Sequence, residues 1–201
     1  LVADDRPGAP PGNFYWAGDG GQVSQYLYAY RSAWLPASLL QPGQQARLAE
    51  AAFGATRHWS FSLHCNKGLA GAPAEEVAAA RDTAMNPAVL DAFALAICAG
   101  EGPAAFPDIP GREPDVNAGH RAAQSIGKAM AELLTAAPDA GSYVSESDYF
   151  EQDWQRAFWG PNYPRLAAVK RRYDPDGLFF VHHGVGSEAW SADGFTRLSV
   201  G

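Results

Sequence analysis

Cysteine is scarce: Cys65 and Cys98 are the only two in 201 residues. That is too few for a disulfide scaffold, and their separation matches no zinc-ligand spacing. A bridge between neighbouring strands and two buried thiols both fit, so cysteine usage leaves the compartment, exported or cytoplasmic, open. Long apolar runs are missing too. No uninterrupted segment is long enough to cross a bilayer, and no signal-peptide pattern stands in the sequence. Basic residues number 15 against 22 acidic ones, a formal net charge of −7. The one dense basic run, Lys170-Arg171-Arg172, reads as the solvated face of a helix. A nucleic-acid binder needs a wider positive footprint, which argues against that class.

Metal and hydrolase patterns are equally thin. His58 and His64 share a strand face but stand about 20 Å apart at strand rise. His182 and His183 point to opposite faces if extended and have no carboxylate at metal spacing, so no metal centre is expected. The stretch Gly184-Val-Gly186-Ser-Glu188 lacks the Gly-x-Gly-x-x-Gly span of a phosphate loop. Ser187 also lacks the Gly-x-Ser-x-Gly elbow of a hydrolase nucleophile.

What the sequence does have is 47% hydrophobic residues, enough for one substantial core or two small ones. A short aromatic strand is expected at 14–16, broken by the glycines of 18–21, with an amphipathic piece at 23–31. A helix follows over 44–53, with Leu48 and Ala52 inward. Alternation over 57–65, with Trp59, Phe61 and Leu63 opposite His58, Ser60, Ser62 and His64, predicts a half-buried strand. Residues 73–82 read as a helix opened by Pro73 with Glu75 and Glu76 in the first turn. The Ala, Leu and Phe content of 89–98 permits a helix, but Pro87 and Gly100 bound a strand-sized run, so a strand is expected there, and 101–114 reads as a surface loop. Ala122, Ile126, Met130, Leu133 and Leu134 recur at helical spacing, so 117–137 should be the longest helix, lying across a sheet. Strands at 142–145 and 178–182 and helices at 153–158 and 163–173 complete the expectation. The class is α+β: a largely antiparallel sheet with helices on one face.

The most specific pattern lies in the last third: Tyr143-Val-Ser-Glu-Ser-Asp148, Phe158-Trp-Gly-Pro-Asn-Tyr-Pro-Arg-Leu166, Val169-Lys-Arg-Arg-Tyr-Asp-Pro-Asp-Gly-Leu-Phe-Phe180 and His182-His-Gly-Val-Gly-Ser-Glu188. This assembly resembles the carboxyl-terminal end of FAD-linked oxidases of the berberine-bridge and vanillyl-alcohol-oxidase superfamily. The resemblance covers 141–190 well and extends more loosely through 13–71 and 83–111. It implies a substrate-binding portion over 1–140 and a segment over 141–201 that returns to, and packs on, an FAD-binding domain. That domain has no counterpart here, so an N-terminal FAD-binding half is expected on a missing segment or a separate chain. The implied cofactor is FAD and the implied substrate a small organic alcohol or aromatic, with neither nucleic acid nor membrane as partner.

Oxidation of an alcohol by a flavin needs a proton acceptor in a water-poor cleft. His64, on the polar side of its strand near Asn66 and Lys67, is one candidate, with a hydrogen-bonded surface histidine as the bland reading. The resemblance puts the 143–148 strand end near the flavin. There Tyr143 orients a substrate hydroxyl, and Glu146 is either a second base or a carboxylate paired with an arginine such as Arg165. Asn162 matches the asparagine of the family's Tyr-Gly-x-Asn-Tyr pattern, implying a flavin contact in addition to a local role as helix N-cap. Trp159 replaces the tyrosine of that pattern and keeps a flat aromatic wall without the hydroxyl. One of His182 and His183 is expected on the cofactor side. The aromatic inventory, Tyr30 and Trp34 among it, suits an aromatic or apolar alcohol but also suits a core. Oxidative cyclisation or C–H oxidation is the alternative chemistry, and a ligand-binding domain without catalysis is the alternative class.

Overall fold

The computed structural model describes residues 1–17, 24–65 and 68–198. The glycine break at 18–21, Val23, and Asn66 and Lys67 beside His64 lie outside the described residues. Elements run β1 (Val2–Ala3), β2 (Phe14–Tyr15), β3 (Tyr26–Pro36), α1 (Gln45–Thr56), β4 (Ser62–His64), α2 (Ala74–Arg81), α3 (Ala88–Asp91), β5 (Ala92–Gly102), α4 (Val116–Ala136), α5 (Trp154–Trp159) and α6 (Tyr163–Tyr173). The fold is α+β. β1 and β2 pair as a small antiparallel ribbon, and β3, β5 and β4 form an antiparallel sheet with β5 in the middle.

β5 is central because its run Ala94–Cys98 is apolar on both faces, and all five residues are buried. Alternation divides the sheet. Ala33, Leu35, Ala96 and Cys98 face the helices, while Trp34, Leu95 and Ile97 face the opposite way. Buried residues recur at helical spacing along α4, and the small ones among them, Gly119, Ala122, Ala129 and Ala136, let it lie close to its neighbours. Its buried stripe is Gly119, Ala122, Ile126, Ala129, Met130, Leu133 and Ala136. Asp115 caps its start by accepting from the Ala118 N–H at 2.8 Å. α1 joins the same layer through Ala51, Gly54 and Ala55, with Leu48 packed at its edge and Ala52 half-buried. Fully burying a side chain such as Ile126 or Leu133 contributes about 2 kcal/mol each. Both thiols are free; Cys98 sits in this core, where burial pushes it up to about 11.

Several expectations shift. The amphipathic piece at 23–31 is the start of an 11-residue strand that runs on to Pro36, because β5 pairs along nearly its whole length. The strand expected at 89–98 starts at Ala92 after the helical turn of α3 and ends at Gly102, taking Glu101 and Gly102 from the predicted loop. Of 57–65 only Ser62–His64 pairs. Trp59 and Phe61 tuck against the core instead, and the Trp59 indole donates to the Ala99 carbonyl at 2.8 Å.

The strands at 142–145 and 178–182 are not formed. The Trp34 N–H donates to Gly141 O at 2.8 Å, and the Tyr143 N–H donates to Ser32 Oγ at 3.1 Å. Val144–Glu146 then closes into a 3₁₀ turn, so Tyr143, Ser145 and Glu146 do not alternate as on a strand. In the second case Asp174 takes the Leu178 and Phe179 N–H groups at 2.8 and 3.1 Å, and Lys170 Nζ takes the Phe179 carbonyl at 2.6 Å. A turn has used the groups that a ladder needs.

Candidate functional site

One face of the three-stranded sheet carries no helix of the α1/α4 layer. Register assigns its side chains: His64 opposite Leu95, Trp34 also opposite Leu95, Ser62 and Ser32 both opposite Ile97, and Tyr30 opposite Ala99. Tyr143 lies over this face, its ring tilted at 57° to Trp34 with centroids 6.0 Å apart. Ser32 and Ser142 share a buried hydroxyl hydrogen bond of 2.9 Å that fixes the 141–143 segment to β3.

Two clefts open along the face. The first, about 480 Å³, is lined mainly by apolar side chains, among them Trp34, Val77, Val89, Phe93 and Leu95, with His64 as its imidazole. His64 Nε2 is 3.1 Å from Ser62 Oγ, and among the described residues Nδ1 has no partner. The second, about 450 Å³, is lined by Leu27, Tyr30, Ala99, Glu101, Ser145 and Ser147. At its wall the Tyr30 hydroxyl donates to Glu146 Oε1 at 3.4 Å. Burial and the Glu146 charge raise the Tyr30 phenol above its ordinary value, so it remains a donor. Glu146 makes no ion pair among the described residues, because Arg165 is turned to Asp82 at 3.4 Å and to Thr83 O at 2.7 Å. Strand geometry separates the backbones of His64 and Tyr30 by about 16 Å. His64 and Glu146 therefore serve different clefts and cannot act on one reacting atom.

The cofactor candidates gather around α5 and the start of α6. Asn162 holds the N-cap position of α6 but makes no side-chain cap. Its Nδ2 donates to the carbonyls of Arg81, Thr83 and Met85 at 3.1, 3.1 and 2.8 Å, which fixes the amide orientation and leaves Oδ1 with no partner among the described residues. Trp159 packs against the Trp154, Ala157 and Phe158 cluster, and its buried indole N–H has no acceptor among the described residues. An unspent buried donor is costly unless a partner arrives. An aromatic plane, an unspent N–H and an unspent amide oxygen within four residues fit the flat, polar-edged ring system of a flavin.

His182 and His183 do not splay. His183 adopts φ 56°, and the two rings stack 3.8 Å apart. Tyr149 stacks on His182 at 4.2 Å, and Trp154 on His183 at 5.4 Å. His182 Nε2 lies 3.0 Å from the Tyr149 carbonyl. Burial, reinforced by His182, lowers the His183 imidazole below its ordinary value. The buried Asn86 was not singled out by sequence: it binds Ala157 O through Nδ2 at 2.8 Å and caps α3 by accepting from Ala88 N–H at 3.0 Å. The only signal for it was the Asn-Pro turn dipeptide.

Comparison with known proteins bears on this arrangement. Residues 142–186 match the family model "Berberine and berberine like". An uncharacterized FAD-linked oxidoreductase of Arthroderma benhamiae is 52% identical over 65 residues, 32% of this chain and 11% of that protein. The VAO-type flavoprotein oxidase VAO615 of Thermothelomyces thermophilus is 45% identical over 67 residues, 33% of this chain and 12% of the relative. Among solved structures, the VAO-type flavoprotein MtVAO615 from Myceliophthora thermophila C1 superposes with a TM-score of 0.59 at 28% identity. That match covers 80% of this chain and 27% of the other. MtVAO713 from the same organism shares the fold at a TM-score of 0.57 and 23% identity, over 84% and 28%. The chain thus spans little more than a quarter of these flavoproteins.

Proposed function

We propose that the chain is the C-terminal, substrate-domain part of a berberine-bridge and VAO-type FAD-linked oxidoreductase, and that its sheet face opposite α1 and α4 binds an alcohol or phenol-like substrate for oxidation by hydride transfer. The observation that carries the reading is the gathering of His64, Tyr143 and the Tyr30–Glu146 pair on that one face, beside two clefts. Division of labour follows from the geometry. The first cleft is apolar and holds a histidine with one nitrogen occupied by Ser62, so His64 Nδ1 takes the hydroxyl proton. Tyr143, braced on Trp34, orients the hydroxyl. Glu146, whose carboxylate is hydrogen-bonded among the described residues only by the Tyr30 phenol, belongs to the second cleft and takes no part in this proton transfer.

FAD, when bound, supplies the two-electron acceptor. Trp159 and Asn162 would hold it through the indole N–H and the free amide oxygen, with His182 and His183 alongside. The flavin comes with an N-terminal half on a missing segment or a separate chain; residues 141–201 return to that half, and 1–140 build the substrate portion.

The test is anaerobic stopped-flow of the flavin-loaded protein with benzylic alcohols. His64→Ala is expected to slow bleaching of the flavin band by 10²- to 10⁴-fold, the usual contribution of a general base, while leaving the resting spectrum unchanged. A native preparation with no flavin band and no larger polypeptide by intact mass would sink the reading.

A further inference from the structure

Behind the His64 cleft lies a second cavity of about 490 Å³, at the end of the sheet, lined by Pro36, Ser38, Leu39, Ala88, Ala136 and Ala137 among others. Trp34 lines both spaces. The rest of the wall is the single turn of α3, whose Val89 and Leu90 face the cleft while Ala88 and Asp91 face the cavity. We propose that Trp34 is a specificity-determining partition: its indole closes the substrate cleft against the rear cavity and so sets the length of the apolar group that the cleft accepts.

The partition is built to stay in place. The backbone N–H of Trp34 is tied to Gly141 O at 2.8 Å, Tyr143 braces its ring, and the side chain is 7% exposed. α3 is anchored by Asn86, which links it to α5 at Ala157 O, and by the ion pair of Asp91 with Arg81 at 2.6 Å. The two spaces are of nearly equal volume, so removing the indole alone roughly doubles the room. The rear cavity is walled by apolar side chains, and Ser38, Gln44 and Asp139 stand on its exposed rim. Arg47 is committed to Thr135 O at 2.5 Å and Asp91 to Arg81. It is an extension of the cleft that the wild-type chain keeps shut.

This inference rests on the reading of the His64 cleft as the substrate site, and the test separates the two. The flavin-loaded protein is titrated anaerobically with benzyl alcohol, 4-phenylbutan-1-ol and 8-phenyloctan-1-ol, and binding is followed by calorimetry. In the wild type, affinity rises about threefold to fourfold per buried methylene and then stops rising where the tail meets the indole. In Trp34→Ala the rise continues, so that 8-phenyloctan-1-ol binds at least tenfold tighter than to the wild type while benzyl alcohol changes little. Adding Ser38→Phe, at the exposed rim of the rear cavity, abolishes that gain. Trp34→Phe, which keeps a ring against Tyr143, gives an intermediate profile and guards against a variant that fails to fold. An unchanged length profile in both folded variants, or a gain that survives Ser38→Phe, overturns the partition. Val77→Trp, which narrows the cleft itself, must weaken benzyl alcohol; if it does not, the substrate-site reading fails and the partition with it.

Discussion

Asn162 stands at the start of a helix, yet its side chain does not cap it. Its position in the Trp-Gly-Pro-Asn-Tyr run drew attention, and helix-start chemistry suggested a cap. Its amide instead serves three carbonyls 77 to 81 residues earlier in the chain, which no local pattern reveals. Two amide protons shared among three oxygens make a clamp on the loop between α2 and α3, the outer support of the first cleft. Asn162→Ala should lower stability by about 1–2 kcal/mol, read as a shift in the urea midpoint, with faster amide exchange in 81–91. Asn162→Asp should cost more, since it sets a carboxylate against three carbonyl oxygens. Rescue of protection by Asp would contradict the clamp. Alternation over 57–65 predicted Leu63 inward opposite His64, but β4 is the short edge strand and all three of its residues, Leu63 included, are exposed.

At the level of elements, periodicity found α1 and α4, which bury apolar stripes of their own, whereas β3 was legible only as an amphipathic piece at 23–31 and β5, apolar on both faces, carries no period to read. Periodicity missed the 3₁₀ turn at 144–146 and the irregular 178–182, where Ser32, Lys170 and Asp174 capture backbone groups that would otherwise pair. The segment after α6 is held by side chains in place of a ladder. The Tyr163 hydroxyl donates to Glu188 at 2.5 Å, and the Tyr149, His182, His183 and Trp154 rings stack in series. That stack makes the segment sensitive to acid. The folded state holds His183 below its ordinary value through burial and the neighbouring His182, against the opposing pull of Glu151 and Asp148. The unfolded chain therefore binds a proton first as pH falls below about 6.5. Stability then declines until the folded-state value is passed, and levels off below it. Chemical denaturation between pH 7.5 and 5 should show that decline, and His183→Phe, which keeps a ring but cannot titrate, should remove its share of the slope. An identical slope in the variant would rule out the stack as its source.

For the molecule as a whole, the distribution of apolar surface is the informative quantity. The sheet's helix side is closed by α1 and α4, yet the segment following α6 leaves Leu178, Phe179 and Val181 at 80%, 75% and 67% exposure, with Tyr173 beside them at 73%. Single exposed apolar residues need no explanation, but a run of them within nine positions marks a surface made to be covered. Under the proposed function, its occupant is the flavin-binding half. No local pattern pointed to this exposure, because a strand at 178–182 predicts alternating burial and the exposed residues do not alternate. Replacing Phe179 and Val181 together by Ser removes no buried contact within the chain, so its own unfolding should change by no more than about 0.5 kcal/mol. Association is where the loss should appear. Co-expressed with the flavin-binding half as a separate polypeptide, the double variant should co-purify less and retain less flavin per mole, measured by visible absorbance against total protein. A double variant that keeps full flavin content while the Asn162 and Trp159 variants lose theirs would move the interface away from 178–181 and onto the start of α6.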